Sequence, residues 1–432
     1  MTAALAAAEL AALLGAATPR SPLPEVRGAT HHSGRVRPGD AFFAVAGADH
    51  HGIEHADQAL AAGASLVVSD RPHPAGILVS DPGSALLRLG AWARGRMRAP
   101  VIGVTGSAGK TTARALLAAS LDAQASEGNL NTPHALAGRL MRAWSDDPTR
   151  PLVLELGIDH EGEMERLVRL VRPDVGMVTR IAAAHLGGLS DEATVLREKA
   201  KLLHAAPRGL VADAAWRLLP DDLAVSVLRY GLEGDASWRG RVGGEPLAPT
   251  LELEAPVQIE LSLPGLGTGL AESAVGALAA AAMLNVSLDV AAERLRHAQL
   301  EPGRLTPRRG NGFTVLDDSY NANPASLRQA LELLRSAPGP RTAVLGEMLE
   351  LGPDAAAHHR ALGEASRGLD RVLFVGRYGE AVLTGNPAAE IVPDADAERA
   401  VSDLPRTGTI LVKASRGLRF ERLVRALLGG DA

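Results

Sequence analysis

The chain has 432 residues, with 45 Lys plus Arg against 50 Asp plus Glu, a formal net charge of −5, 46% apolar residues and no cysteine. That length supports two to four domains with full cores, and the charge balance argues against a nucleic-acid binder. The lack of cysteine excludes disulfides, thiolate catalysis and thiolate-bound metals, in keeping with a cytoplasmic protein.

The opening segment "MTAALAAAELAALLGAA" lacks a basic start and carries Glu9. It therefore reads as a helix and not as a signal peptide. The longest Ala/Leu run, around 276–284, is too short to cross a membrane. Residues 1–98 read as mixed α/β. Strands are expected in "DAFFAVAG" and "ASLVVSD", with the helix "HADQALAAGA" between them. From "MRAPVIGVTG" onward, strand-like and helix-like runs alternate: "VIGV", "TTARALLAASL", "PLVLELG", "EMERLVRLV", "DVGMVT", "TVLREKAKLL". This alternation predicts a mainly parallel sheet covered by helices. Residues 230–270 are richer in Gly and Pro and more strand-like, and an Ala-rich helix over 271–284 follows. "LEPGRLTPRRGNG" marks a boundary before a further α/β unit. The expected division is three α/β domains, at 1–98, 99–300 and 301–432.

"VIGVTGSAGKTTARALLAAS" places a Gly-containing loop between an apolar strand and a helix. Loop N–H groups and the helix N-terminus attract phosphate. Lys110 adds a compact positive charge, and the Thr111 hydroxyl suits Mg²⁺. The usual pattern has glycine at 104. Here Val104 stands there, with glycines at 103 and 106.

Two ionisable residues follow in apolar surroundings. Glu155 interrupts "PLVLELG", and a carboxylate in a covered strand needs a partner or a metal unless it sits at an exposed strand end. His185, in "IAAAHLGG", follows the strand "DVGMVT".

Lysine occurs only at 110, 199, 201 and 413, all other basic residues being arginine. At 100° per residue, Glu192, Leu196, Lys199 and Leu203 share a stripe flanked by Val195 and Leu202. Arg197, Glu198 and Lys201 fall opposite, where Glu198 and Lys201 can pair. Lys199 thus faces the core, where an isolated ammonium is costly. Two readings are open. Lys199 snorkels or pairs with Glu192, or it loses its proton and reacts with CO₂ to give a carbamate, a carboxylate-like metal ligand.

The motifs "TGSAGKTT", "LELG", "AHLGGL", "EKAKLL", "PGR", "LDDSYNANP", "LGEMLELG" and "LVKASRG" occur in this order. Together they resemble the ATP-dependent Mur ligases of peptidoglycan synthesis. "YNAN", the "GE" of "DHEGEM" and "LGEMLELG" are most similar to members that add D-alanyl-D-alanine to UDP-N-acetylmuramoyl-tripeptide through an acyl-phosphate.

The resemblance implies a first domain for the UDP-sugar, a central P-loop ATPase, a C-terminal Rossmann-like domain for the acceptor, and a monomer. It assigns phosphate contacts to Gly106, Ser107, Ala108, Gly109, Lys110, Thr111 and Thr112. One Mg²⁺ belongs near Thr111, and a second on Glu155, His185 and carbamylated Lys199. Arg304 of "PGR" approaches the γ-phosphate, and Asp318 the ATP ribose. Lys110, Lys199, His185 and Arg304 form the catalytic set. Asn321, Asn323, Lys413, Ser415 and Arg416 lie on the substrate side.

Several positions depart from the family pattern. Its His-Asn-x-x-Asn near the adenine reads Glu272, Ser273 and Gly276 here. An Asn before the metal-binding histidine is Arg180, and the nucleotide-sugar "DSR" reads "HSG" (His32, Ser33, Gly34). "NLNTPHALAGRL" matches the expected run only in part. Related ligases with another acceptor are the nearest alternatives: the third-residue-adding enzyme, folylpolyglutamate synthase and cyanophycin synthetase. The absence of "DNPR" favours the dipeptide. A nucleotide-dependent switch without ligase activity would not need Glu155, His185 and Lys199 together.

Overall fold

The computed structural model describes residues 3–17, 23–47, 50–126, 128, 130–181, 192–219 and 226–429. His185 lies outside them. Three sheets organise these residues. The first is wholly parallel, in the order β1 (Gly28–Thr30), β2 (Asp40–Phe43), β3 (Leu66–Ser69), β4 (Gly76–Leu78). "DAFF" and "LVVS" are buried at every position, as strands covered on both faces must be.

The helices Pro82–Arg94 and Pro133–Asp146 pack closely beside this sheet. Gly90 permits the approach, because a Cβ there would lie 2.6 Å from Ala137 Cα. Trp92 and Trp144 meet edge to face at 4.7 Å between centroids. The N-terminal helix is shorter than its sequence suggests, Ala7–Leu13, since Leu5 instead bridges to Val26.

The second sheet has nine strands: β5 (Val101–Thr105), β6 (Gln124–Ala125), β7 (Leu152–Glu155), β8 (Val175–Val178), β9 (Arg208–Ala212), β10 (Ser226–Gly231), β11 (Trp238–Glu245), β12 (Ala248–Ala255) and β13 (Ile259–Ser262). Their order is β13-β12-β11-β10-β9-β8-β5-β7-β6. Strands β5 to β10 pair in parallel, while β11, β12 and β13 pair antiparallel. β5 is buried throughout, but β12 alternates, with Leu251 and Leu253 inward. The change in burial pattern follows the change from parallel to antiparallel pairing. The Ala-rich helix Thr268–Met283 is buried on nearly every side and lies against the helix Lys110–Ser120. Small side chains let the two backbones come close.

The third sheet runs β14 (Thr306–Arg309), β15 (Phe313–Asp318), β19 (Gly408–Lys413), β16 (Arg341–Gly346), β17 (Arg371–Val375), β18 (Glu390–Ile391). All its pairings are parallel except β14 with β15. The segment read from sequence as a boundary thus contributes an edge strand. Pro307 fits there because an edge position needs no donor N–H.

This topology gathers chemistry at strand ends. β5 lies between β7 and β8, so the loop after β5, Glu155 and Thr179–Arg180 share one carboxyl edge. In the third sheet Asp318 and Lys413 are register partners at the ends of β15 and β19. Ligands of open α/β sheets bind at such edges. No described helix is long and apolar enough to cross a membrane.

Candidate active site

The phosphate loop is shaped by two glycines. Gly106 has φ +155°, and a Cβ there would lie 1.9 Å from Thr179 Oγ1. Only glycine fits against the end of β8. Gly109, at φ +86°, turns the chain into the helix Lys110–Ser120. The Ser107 N–H donates to Arg180 O at 2.8 Å, tying the loop to the residue after Thr179. Lys110 Nζ donates to Gly106 O at 2.8 Å, and burial pushes its pKa down.

Thr111 connects two elements. Its hydroxyl donates to Glu155 Oε2 at 3.0 Å and accepts from the Arg304 guanidinium at 3.1 Å. Glu155 is therefore a buried strand-end carboxylate with a partner, and not an exposed one. Arg304 lies 3.9 Å above the Tyr320 ring, and its Nε is buried without a hydrogen-bond partner among the described residues. Among the described residues, no cluster of three or more His, Asp or Glu forms a ready cation cage.

Lys199 is 1% exposed, as the helix phase requires. It lies on Glu192–Ala205, and its Nζ donates to Ser107 Oγ at 3.2 Å. Burial and the nearby charge of Lys110 push its pKa down to about 7.

The same helix corrects one expectation. Glu198 was placed on the solvent side but is 2% exposed, and Lys201 is only half-exposed. The two do pair. The helix packs against both β8 and the helix Glu163–Val171. Among the described side chains its solvent side carries Arg197, Lys201, His204 and Ala205, and Glu198 falls beside it in the core.

The opposite wall comes from the third sheet. Buried Lys413 forms an ion pair with Asp318 and donates to Asn321 O at 2.9 Å. Burial pushes the Asp318 pKa up, and Lys413 opposes that shift. Asp318 Oδ1 accepts from Leu305 N–H at 3.2 Å, holding Leu305 at φ +52° directly after Arg304. Asp318 thereby fixes the backbone that carries Arg304. Asn323 caps the helix Pro324–Ser336 through Ser326 N–H, and Asn321 Oδ1 accepts from Ala322 N–H. Ser415 Oγ accepts from Leu349 N–H at 2.8 Å. Arg416 is exposed, 5.3 Å from the Tyr320 ring centroid.

A cavity of about 550 Å³ lies between the walls. Its lining includes Ser107 to Thr112, Glu155, Arg304 and Asp318, together with all five residues placed on the substrate side. Lys199 lies behind the loop, joined to the cavity through Ser107. Sequence reasoning missed Asp159, Tyr320, and the pairing of Arg180 with Glu272 at 2.6 Å, all in the lining. Asp159 opens "DHEGEM" and carries a charge that acts on both Lys110 and Lys199. An acidic residue shortly after a strand end that bears Glu155 was the available signal.

Comparison with known proteins agrees with this arrangement. The Mur ligase middle domain model matches residues 104–281, and the Mur ligase glutamate ligase domain model matches 303–416. The UDP-N-acetylmuramoyl-tripeptide–D-alanyl-D-alanine ligase of Escherichia coli is 32% identical, covering 91% of this chain and 92% of its own. A crystal structure of MurF from Acinetobacter baumannii superposes with a TM-score of 0.87 at 26% identity, covering 99% of each chain. MurF ligase from Thermotoga maritima, solved in complex with ADP, gives 0.81 at 25% identity over 94% of this chain and 98% of that one. By sequence identity over nearly its whole length, and by the fold that carries its phosphate loop, the chain belongs to the Mur ligase family.

Proposed function

We propose that this protein joins D-alanyl-D-alanine to UDP-N-acetylmuramoyl-tripeptide at the expense of ATP, in cytoplasmic synthesis of peptidoglycan precursors. The observation that carries the reading is the contact of Arg304, from the third sheet's unit, with Thr111 of the phosphate loop across a shared cavity. Relatives that span nine-tenths of the chain carry that reaction in their names. Residues 1–98 would hold the UDP-sugar, 99–300 the ATP and 301–432 the acceptor.

The chemistry has two steps. A tripeptide carboxylate oxygen attacks the γ-phosphorus, its P–O bond to ADP breaks, and an acyl-phosphate forms. The dipeptide amine then attacks the acyl carbon, loses a proton and displaces phosphate. The first step brings anions together, so neutralising charge is the main demand. Lys110 and the loop N–H groups hold the phosphates. Arg304, bonded to Thr111 and stacked on Tyr320, brings its guanidinium charge to the transferred group. Closure of the third sheet's unit over the substrates would limit attack by water.

Thr111 and Glu155 offer buried oxygen ligands 3.0 Å apart, a donor set suited to Mg²⁺. Mg²⁺, when bound there, supplies further neutralisation of phosphate charge. For a second Mg²⁺, Lys199 as a carbamate would join Glu155 and His185. Its amine, with a pKa near 7, adds to CO₂ and releases a proton, turning a buried cation into an anion. His185 is the remaining candidate ligand. On the acceptor side, Arg416 is the exposed cation. Lys413, Asn321, Asn323 and Ser415 shape the wall through the bonds they already make.

Phosphate release is the direct test, with ATP, Mg²⁺ and UDP-N-acetylmuramoyl-tripeptide present. Turnover that depends on added D-alanyl-D-alanine is expected. Turnover that ignores the dipeptide would remove the assignment.

A further inference from the structure

The linker that enters the third sheet's unit is laid along the phosphate-loop helix, Lys110–Ser120, by contacts in reverse order. Arg294 Nη1 donates to Ser120 O at 3.3 Å, at the helix's far end. Glu301 forms an ion pair with Arg114, four residues after Lys110. Arg304 donates to Thr111 at the near end. The linker therefore runs antiparallel to the helix, and Arg114 holds it just before Arg304. Arg114 is 3% exposed, so the pair forms where little water competes for its cation.

The same guanidinium also backs the site. Its Nη1 donates to Gly128 O at 2.7 Å and to Ser126 Oγ at 3.4 Å. Ser126 Oγ accepts in turn from Glu155 N–H at 3.4 Å. Arg114 thus ties the strand end that carries Glu155 to the linker that carries Arg304. Nearer the loop, Thr111 joins the side chains of those same two residues. A lysine at 114 would be a compact point charge, whereas the arginine fork donates toward the loop and the linker at once.

We propose that Arg114 and Glu301 are positioning residues, which set where Arg304 stands over the phosphate loop; their part in turnover rests on the ligase reading above. The geometry leaves little slack between them and Arg304. Gly303 already belongs to the third sheet's unit, because its carbonyl accepts from Tyr320 N–H at 3.1 Å. Tyr320 carries the ring on which Arg304 stacks. Only Pro302 stands between Glu301 and Gly303, and the proline ring fixes its φ. The chain passes from one unit to the other across a single stiff residue. A shift of Glu301 is therefore a shift of Arg304.

The chain has no cysteine, so Arg166→Cys and Glu332→Cys, both at exposed helix positions of the two units, take spin labels at those sites alone. Pulsed electron resonance then reads the distance between the units without any substrate. Glu301→Ala should broaden the distance distribution, with thermal melting confirming the fold. Glu301→Gln keeps an oxygen acceptor and should broaden it less. An unchanged distribution in Glu301→Ala would overturn the proposal. In turnover, Glu301→Ala should lower kcat about tenfold and leave KM for ATP nearly unchanged. In an Arg304→Lys background the same change should add almost nothing, because it acts through Arg304. An equal loss in both backgrounds would make the pair a structural brace only and would also overturn the proposal. The distances need no turnover, so a wild type that does not respond to the dipeptide would fail the ligase reading alone.

Discussion

Lys199 Nζ lies 3.2 Å from the Ser107 hydroxyl, so the helix Glu192–Ala205 reaches the phosphate loop through a lysine that is otherwise enclosed. An arginine there would keep its charge under all ordinary conditions, whereas this amine is held near pKa 7 by burial and by Lys110. Lys199→Ala is expected to lower kcat by about 10²–10³-fold, as loss of a charge-stabilising group does. A short-chain carboxylate added to the assay should restore part of the rate by occupying the vacated space. Full activity of the alanine variant without added acid would sink the carbamate reading.

Lys201 has a structural task instead. Its partner Glu198 is buried, and one Glu198 oxygen has no hydrogen-bond partner among the described residues. Removing Lys201 leaves a carboxylate in the core with less compensation. Lys201→Ala should cost about 1–2 kcal/mol of stability, more than a surface pair but less than a fully buried one, because the lysine is partly solvated. Combining it with Glu198→Gln should return most of that loss. Urea unfolding of the three variants checks this, and equal stability of Lys201→Ala and wild type would contradict it.

Arg304 combines a bond to Thr111, a stack on Tyr320 and a buried Nε without a partner among the described residues. Lysine cannot reproduce a planar fork that donates in several directions. Arg304→Lys should therefore lose about 10²–10³ in kcat while KM for ATP changes much less, the signature of an interaction made mainly in the transition state. A variant that changes KM alone would show that Arg304 only binds the nucleotide.

Local chemistry was legible in the sequence where it is set by local chain geometry. The phosphate loop and the core-facing phase of Lys199 each depend on a few neighbouring residues. Glu198 was misplaced because helix phase gives a direction and not the number of elements packed around the helix. Arg180 and Glu272 each looked like isolated departures, since only the tertiary fold brings β8's end to the Ala-rich helix. Pro307 concealed an edge strand because proline weakens every pattern by which strands are read. The Thr111–Arg304 contact spans 193 residues and needs both sheets in place before it exists.

One pH dependence follows from His359. Its Nε2 accepts from Met348 N–H at 2.9 Å, and its Nδ1–H donates to Ala355 O at 2.7 Å, which requires the neutral ring. The ring is stacked on Tyr378 at 4.3 Å, and burial holds its pKa below the ordinary 6.5. Met348 directly precedes the cavity-lining residues Leu349, Glu350 and Leu351, so the ring braces that wall. The folded state refuses a proton that the unfolded chain accepts. Stability is therefore fully present above 6.5 and falls as pH drops from there toward the depressed folded value. His359→Gln removes this linkage but leaves His31 and His134, which are also shifted down, in both proteins. The gap in melting temperature between wild type and variant should narrow from about pH 7.5 to about pH 5.5. A gap that stays constant across that range would mean that the ring braces the wall whether or not it is protonated.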